Sequence, residues 1–154
     1  MQHSIKRGKQ LSIERCPVVL VISPFSEDLA YSLGILNECG YEARSVRTCC
    51  QGLAMLRKLT VPIVICDASL PDGSWRDLLR AAEMDRSSPA LIVTSRLADD
   101  RLWAEVLNLG GYDLLAKPLQ SQEVTRAVGS AWRDWTRRSP EETRFTKAIA
   151  AGVG

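Results

Sequence analysis

Short, uninterrupted apolar runs punctuate the middle of the chain. The three strongest are Val18–Ile22, 63–66 and 90–93, and they are rich in β-branched residues. A strand that is buried on both faces of a parallel sheet has this character, because helices cover both of its sides. Weaker runs at 42–46 and 112–116 indicate two further strands.

Helical spacing of apolar residues fills the stretches between these runs. The predicted helices begin near Ser26, Cys49, Ser74, Asp99 or Asp100, and Ser121. The first ends at Gly40 and the fourth at Gly110 and Gly111, because glycine commonly terminates helices. Five alternating strand–helix units predict an α/β fold, a three-layer sandwich whose parallel sheet has the order 2-1-3-4-5. Two helices are expected on one face of the sheet and three on the other.

The expected domain occupies residues 17–136 and lies between two basic tails. The chain has 154 residues, of which 45% are hydrophobic and 25% charged, as in one ordinary globular domain. Residues 1–16 are predicted to form a flexible N-terminal tail, and residues 137–154 a C-terminal tail. Ser139 and Pro140, followed by two glutamates, form a capping-box pattern that predicts a short helix from about 140 to 151. Solvated tails are the simplest interpretation, and a docking or nucleic-acid tail is the alternative.

The composition indicates a cytoplasmic protein. The net charge of +2 is too small to suggest nucleic-acid binding. No apolar stretch approaches the ~18 residues of a membrane span, and the polar N-terminus lacks the apolar segment of a signal peptide. The five cysteines are odd in number and lack metal-ligand spacing, so reduced thiols are expected. A redox pair at Cys49 and Cys50 is the alternative.

Candidate site residues follow four of the five predicted strands. They are Ser23 and Pro24 after the first, Asp67 after the third, Thr94 and Ser95 after the fourth, and Lys117 after the fifth. The carboxyl ends of parallel strands meet at one edge of the sheet, where ligands bind. An aspartate, a hydroxyl and a lysine together suit phosphoryl transfer to a carboxylate. Asp67 would attack phosphorus, while Lys117 and Thr94 stabilise the phosphoryl oxygens.

These motifs, taken in order, resemble the receiver domains of two-component response regulators. They are IVICD at 63–67, LPDG at 70–73, which also predicts a turn, LIVTS at 91–95 and GGYDLLAKPL at 110–119. The resemblance covers roughly residues 17–136 and implies a (βα)5 flavodoxin-like fold with Asp67 as the phosphoacceptor. The residues implied to bind the phosphoryl group and to switch with it are Thr94, Ser95 and Lys117. The resemblance also implies a cis peptide bond after this lysine, and a sensor histidine kinase or phosphotransfer protein as phosphodonor.

One departure from the receiver pattern concerns the metal. Receivers usually carry an acidic pair after the first strand that holds Mg²⁺, whereas this chain has Ser23 and Pro24 there. Asp67 and the backbone carbonyl of Ser69 would remain as ligands. Because Mg²⁺ prefers an octahedral set of hard, anionic oxygens, its binding is expected to be weak or absent.

Two acids near the missing acidic pair, and one position in the fifth strand, bear on how far the chain departs from the receiver pattern. Glu27 and Asp28, in the first turn of the first helix, are the candidates to replace the missing acidic pair. Leu114 stands where the family usually has an aromatic switch residue, which is a second departure. Tyr112 lies two residues earlier and would share its face of a strand.

Three interpretations of function remain open. The first is a stand-alone receiver-like protein that accepts a phosphoryl group at Asp67 and signals through a downstream protein partner. The second is a phosphorylation-independent pseudo-receiver, a protein–protein interaction module, which the missing acidic pair and Leu114 favour. An enzyme is disfavoured, because a dehalogenase-type phosphatase needs a second aspartate where Ser69 stands and no phosphate-binding glycine loop is present.

Self-association through the fourth helix, fifth strand and fifth helix is also expected, because receivers commonly form homodimers through this face. The charged residues predicted to pair across a symmetric dimer are Asp99, Asp100, Arg101 and Glu105 with Arg126, Arg133 and Arg137. Trp103, Trp132 and Trp135 are interpreted mainly as core residues. Trp103 or Trp135 would be the apolar contact of the dimer if either lies outside the core.

Overall fold

The computed structural model describes residues 17–138. The strands of the main sheet are β1 (Val18–Ile22), β2 (Glu42–Val46), β3 (Ile63–Asp67), β4 (Ala90–Ser95) and β5 (Asp113–Ala116). The helices are α1 (Ser26–Glu38), α2 (Cys49–Lys58), α3 (Trp75–Met84), α4 (Asp100–Asn108) and α5 (Ser121–Arg137). The predicted N-terminal tail and residues 139–154, with the helix predicted from about 140 to 151, lie outside the described residues. The C-terminal tail was predicted to begin at residue 137, but Arg137 still belongs to α5. Within residues 17–138, no helix has the length and apolar character needed to cross a membrane.

The main sheet is parallel throughout, with the strand order β2-β1-β3-β4-β5. The central strand β3 lies between β1 and β4, and every one of its residues is buried. Such a strand needs apolar side chains on both faces, which explains its uninterrupted apolar sequence. The predicted fold class and strand order are confirmed.

Two hydrophobic clusters cover the two faces of this sheet. Side chains alternate along β1, so Leu20 and Ile22 join one cluster while Val19 and Val21 join the other. The first cluster packs against α2, α3 and α4, and the second against α1 and α5. Three helices therefore lie on one face and two on the other, as predicted.

Most helix ends follow the sequence signals. Asp99, one of the two predicted residues, caps α4 with its side chain. Gly40 and Gly110 follow α1 and α4 with φ values of 87° and 105°, which favour glycine because a Cβ is strained there. Helix α1 begins at Ser26, as predicted, but Phe25 and not Ser26 holds its cap position.

The tryptophans differ from the prediction in how deeply they are buried. Trp103 is 50% exposed, so its assignment to the core is wrong; α4 is short and fully buries just Val106. Trp132 and Trp135 are half-buried and stack on each other with ring centroids 5.6 Å apart. Trp75, at the start of α3, fills the core and is 1% exposed.

A short hairpin connects β3 to α3. Its strands are Ser69–Leu70 and Gly73–Ser74. The side chain of Ser74 and that of Asp77 form a reciprocal capping box at the start of α3. The turn predicted from the LPDG sequence is therefore present, and the next helix begins immediately after the hairpin.

Candidate functional site

Strand register brings the predicted site residues to one edge of the sheet. Asp67 is the last residue of β3 and pairs in register with Thr94 of β4. Ser95 pairs with Ala116 at the end of β5, so Lys117 is the first residue beyond that strand. Because every strand runs in the same direction, these carboxyl ends share one edge.

Asp67 is a buried acid with both carboxylate oxygens engaged. The residue is 5% exposed. Its Oδ1 accepts a hydrogen bond from the backbone N–H of Ser69 at 3.2 Å, and its Oδ2 accepts one from Nζ of Lys117. The contact with Lys117 supplies the positive charge that a buried carboxylate requires.

Lys117 is positioned by its backbone as well as by its side chain. Its N–H donates to the carbonyl of Ser95 at 2.9 Å, and the Lys117–Pro118 peptide bond is cis, as the resemblance implied. The Lys117 side chain is 4% exposed, and Nζ lies 4.6 Å from the centroid of the Phe25 ring. This separation is typical of a cation–π contact. Phe25 is a site residue that the sequence did not reveal.

Asp28 reaches the site, whereas Glu27 does not. Oδ2 of Asp28 lies 2.7 Å from Nζ of Lys117, an ion pair that joins the first turn of α1 to the end of β5. Glu27 is exposed. Neighbouring residues of a helix point about 100° apart, so one of the two sequence candidates faces the sheet edge and the other faces solvent.

Ser23 and Pro24, at the positions of the usual acidic pair, offer little to a cation. Ser23 is 4% exposed, and its Oγ accepts a hydrogen bond from the backbone N–H of Phe25 at 3.2 Å. Pro24 has no side-chain oxygen. The hydroxyl of Ser23 therefore closes the turn between β1 and α1.

The two hydroxyl residues predicted to follow the fourth strand are instead the last two residues of β4, and they have different surroundings. Thr94 is buried beside Asp67, and its carbonyl accepts a hydrogen bond from Ala68 N–H at 2.8 Å. Ser95 is partly exposed, and its Oγ accepts a hydrogen bond from the N–H of Leu97 at 3.0 Å. Thr94 is thus the hydroxyl residue beside the carboxylate, and Ser95 stabilises the loop that leads to α4.

The arrangement does not fit a receiver-type Mg²⁺ site. Residues 17–138 contain no group of three or more His, Cys, Asp or Glu side chains placed to hold a metal ion. The two carboxylates that do converge, those of Asp28 and Asp67, both contact the ammonium of Lys117. A hard divalent cation needs several free anionic oxygens, and here the nearest ones are already neutralised.

The expected relation between Tyr112 and Leu114 is wrong. Tyr112 precedes β5, packs against the cluster under α1 and α5, and donates a hydrogen bond to Asp134 Oδ2 at 2.7 Å. Leu114 is buried in the opposite cluster. Because the two side chains lie on opposite faces of the sheet, the tyrosine does not stand in for the aromatic switch residue of the family.

A cleft of about 640 Å³ lies at the other end of the sheet. Glu83, Pro89, Tyr112 and Trp135 are among the residues that line it. These residues come from the amino ends of β4 and β5 and the carboxyl ends of α3 and α5. None of the predicted site residues lines this cleft, so its size does not make it the place of the Asp67 chemistry.

The fold and the buried Asp67–Lys117 pair define a doubly wound α/β domain with an acid–lysine site at the carboxyl edge of its sheet. The family model described as "Response regulator receiver domain" matches residues 27–129. The chain belongs to this family. The match begins in α1, so Ser23 and Pro24 lie outside the matched range.

Curated relatives match part of the chain. The chain is 31% identical over 91 residues to "Probable transcriptional regulatory protein y4xI" of Sinorhizobium fredii, a match that covers 59% of this chain and 40% of that protein. The matches span between 21% and 43% of the length of the curated relatives.

Solved receiver structures share the fold. The signal receiver domain of an HD domain-containing protein from Pseudomonas fluorescens Pf-5 is 26% identical with a TM-score of 0.72, over 79% of this chain and 98% of that one. The beryllofluoride-activated NtrC4 receiver domain dimer is 19% identical with a TM-score of 0.72, over 77% and 98%.

Proposed function

We propose that this receiver domain accepts a phosphoryl group on Asp67 from a sensor histidine kinase or phosphotransfer protein. The proposal rests on one observation, the contact of the Asp67 carboxylate with the ammonium of Lys117 at the edge where Thr94 pairs in register with Asp67. This combination supplies a nucleophile, a cation for the phosphoryl oxygens and a hydroxyl donor within one site.

The proposed step moves a phosphoryl group from nitrogen to oxygen. An Asp67 oxygen attacks phosphorus, the bond between phosphorus and the donor's imidazole nitrogen breaks, and the released ring takes a proton from water to leave as neutral imidazole. The product is an acyl phosphate. Lys117 then pairs with the phosphoryl oxygens, which pulls its ammonium away from its present contacts and provides a switch.

A pseudo-receiver is the second candidate function. Both carboxylate oxygens of Asp67 already have hydrogen-bond partners and the residue is buried, so the nucleophilic oxygens are shielded from a phosphodonor. Ser23 and Pro24 replace the usual acidic pair. In this alternative the domain binds its protein partner in one conformation, without phosphorylation.

Intact-mass measurement after incubation with acetyl phosphate distinguishes the two candidates. The phosphoacceptor proposal expects the wild-type protein to gain one phosphoryl group, which hydroxylamine then removes as it does an acyl phosphate. Asp67→Asn should gain none. If the wild-type mass stays unchanged with acetyl phosphate and with a phosphorylated histidine donor, with and without Mg²⁺, the pseudo-receiver is supported instead.

We also propose that the domain acts in the cytoplasm through a protein partner, without enzymatic activity of its own. A homodimer through α4, β5 and α5 remains part of this proposal, and the exposed Trp103 is its apolar contact. The charge pairing needs revision, because Glu105 accepts a hydrogen bond from Arg76 of α3 at 2.9 Å and so lies on the other side of α4. Sedimentation of the wild type and of Trp103→Ala tests the dimer, which the substitution should weaken.

A further inference from the structure

The ammonium of Lys117 lies between two carboxylates. It contacts Oδ2 of Asp67 and lies 2.7 Å from Oδ2 of Asp28. The ring of Phe25 lies 4.6 Å away from the same atom. The Lys117 side chain is 4% exposed and that of Asp67 7%, so water contributes little to the balance of charge between them.

We propose that Lys117 is the resident cation of this site and that Asp28 holds it there, to the exclusion of a divalent metal. Asp28 is then a positioning residue, because it acts on the lysine and not on a phosphoryl group. Lys117 neutralises the two carboxylates in this way whether or not Asp67 accepts a phosphoryl group.

The contacts of Asp28 support this assignment. Its Oδ2 is a buried oxygen without a well-oriented hydrogen bond among the described residues. The ion pair with Lys117 at 2.7 Å is therefore what balances its charge in residues 17–138. The Asp28 side chain is 24% exposed, but its Oδ2 is buried. A buried anionic oxygen without a counter-charge is costly, so Asp28 and Lys117 hold each other in place.

The same contacts oppose the entry of Mg²⁺. An ammonium has three N–H donors, and here carboxylates and an aromatic ring surround it. A metal bound to both Asp28 and Asp67 would displace Lys117 and leave its charge buried and unpaired, which is strongly unfavourable. Ser23 and Pro24 supply no further carboxylate to offset that cost.

Metal binding by lysine variants tests the proposal. Calorimetric titration with Mg²⁺ and Mn²⁺ should detect no saturable binding to the wild-type protein in the millimolar range. In Lys117→Gln the two carboxylates lose their counter-ion, and divalent affinity should rise by at least about tenfold, because two negative charges then face the site without compensation. Lys117→Arg keeps a cation and should remain metal-free.

The adjacent acids of α1 provide a matched control. Adding Asp28→Asn to Lys117→Gln should abolish the gained metal binding, whereas adding Glu27→Gln, one residue away and exposed, should leave it intact. Equal metal affinity of the wild type and Lys117→Gln would overturn the proposal. So would a gain in affinity that survives the loss of Asp28.

A folding readout covers the case in which Lys117→Gln does not fold in the absence of metal. If the cation is what the two carboxylates need, Mn²⁺ should restore the circular dichroism spectrum and raise the Tm of this variant. Restoration should fail when Asp28→Asn is added. A Lys117→Gln chain that stays unfolded in Mn²⁺ would refute the proposal. Acetyl phosphate plays no part in these measurements, so a failure to phosphorylate Asp67 would leave them unchanged.

Discussion

The carboxylate of Asp72 accepts a hydrogen bond from the backbone N–H of Cys49 at 2.7 Å. Its other oxygen accepts one from the N–H of Cys50 at 2.9 Å. Asp72 lies in the hairpin that follows the phosphoacceptor strand, and these N–H groups belong to the first turn of α2. A residue of the turn predicted from LPDG therefore caps the amino end of a helix, binding an N–H group 22 positions away in the chain.

This contact predicts a pH dependence of stability. Hydrogen bonds from Cys50 and then Cys49 lower the pKa of Asp72 below its ordinary value of 3.8. A lowered folded-state pKa contributes stability that is present above the unfolded-state pKa and is lost as pH falls through the folded-state value. Asp72→Asn should therefore lower stability at pH 7, and its difference from the wild type should shrink below about pH 4.

Urea unfolding of both proteins from pH 7 down to pH 2.5 measures that difference, where these pH values bracket the ordinary carboxyl range. Asp100→Asn, which changes an exposed aspartate in the first turn of α4, is the control. A constant difference between Asp72→Asn and the wild type across this range would contradict the prediction.

Restoring the acidic pair should create a stronger metal site. In the double variant Ser23→Asp and Pro24→Asp, two carboxylates return to the strand end beside Asp67. We expect Mg²⁺ affinity to rise by at least about tenfold, which corresponds to about 1.4 kcal/mol. Calorimetry compares this variant with Thr60→Asp, which adds an exposed acid just before β3, far from its carboxyl end. Micromolar Mg²⁺ binding by the unmodified protein would show that another acid already serves.

Two glycines should respond to alanine in opposite directions. A Cβ on Gly111 would lie 2.5 Å from Cγ1 and 2.9 Å from the carbonyl oxygen of Val106, so Gly111→Ala should destabilise by about 1–3 kcal/mol. A Cβ on Gly34, within α1, meets nothing within 4 Å, so Gly34→Ala should stabilise by about 0.5–1 kcal/mol. Thermal and urea unfolding measure both. Destabilisation by Gly34→Ala would show that this face of α1 is covered.

The thiols of the native protein should differ in alkylation rate. Burial raises the pKa of the Cys66 thiol, and burial followed by Asp77 and Asp72 raises that of Cys49. Because the thiolate is the reactive form, Cys39 and Cys50, which are exposed, should react with iodoacetamide at least about tenfold faster. Peptide mass mapping identifies each site, and denaturation in urea should equalise the rates. A disulfide between Cys49 and Cys50 in the untreated protein would favour the redox-pair alternative.

The sheet and the strand-end residues could be predicted because they follow from local patterns. The apolar run of β3 ends at Asp67. Because the next strand in the sheet is parallel, its carboxyl end, with Thr94, lies beside Asp67. From sequence, Asp28 could be named only as one of two candidates to replace the acidic pair, and its contact with Lys117 was not predicted. It depends on how α1 turns its first residues toward the sheet edge, which hydrophobic periodicity does not determine.

Trp103 illustrates a second limit of the sequence. Its spacing along α4 is that of an amphipathic helix, yet the ring is half exposed. Periodicity identifies the side of a helix that faces the sheet, but the depth to which each residue is buried depends on the neighbouring helices. Asp72 shows the same limit for polar residues, because its partners in α2 precede it by more than twenty positions.

The triad of Asp28, Asp67 and Lys117 has a consequence for synthesis of the chain on the ribosome. Lys117 follows Asp67 by 50 residues, so both acids emerge well before the base that neutralises them. Until β5 is made, the nascent chain carries two carboxylates at the carboxyl edge of an unfinished sheet, and their repulsion opposes bringing the first turn of α1 toward the end of β3. The arrival of Lys117 removes that repulsion, so this lysine favours compaction of the domain only once its last strand has been translated.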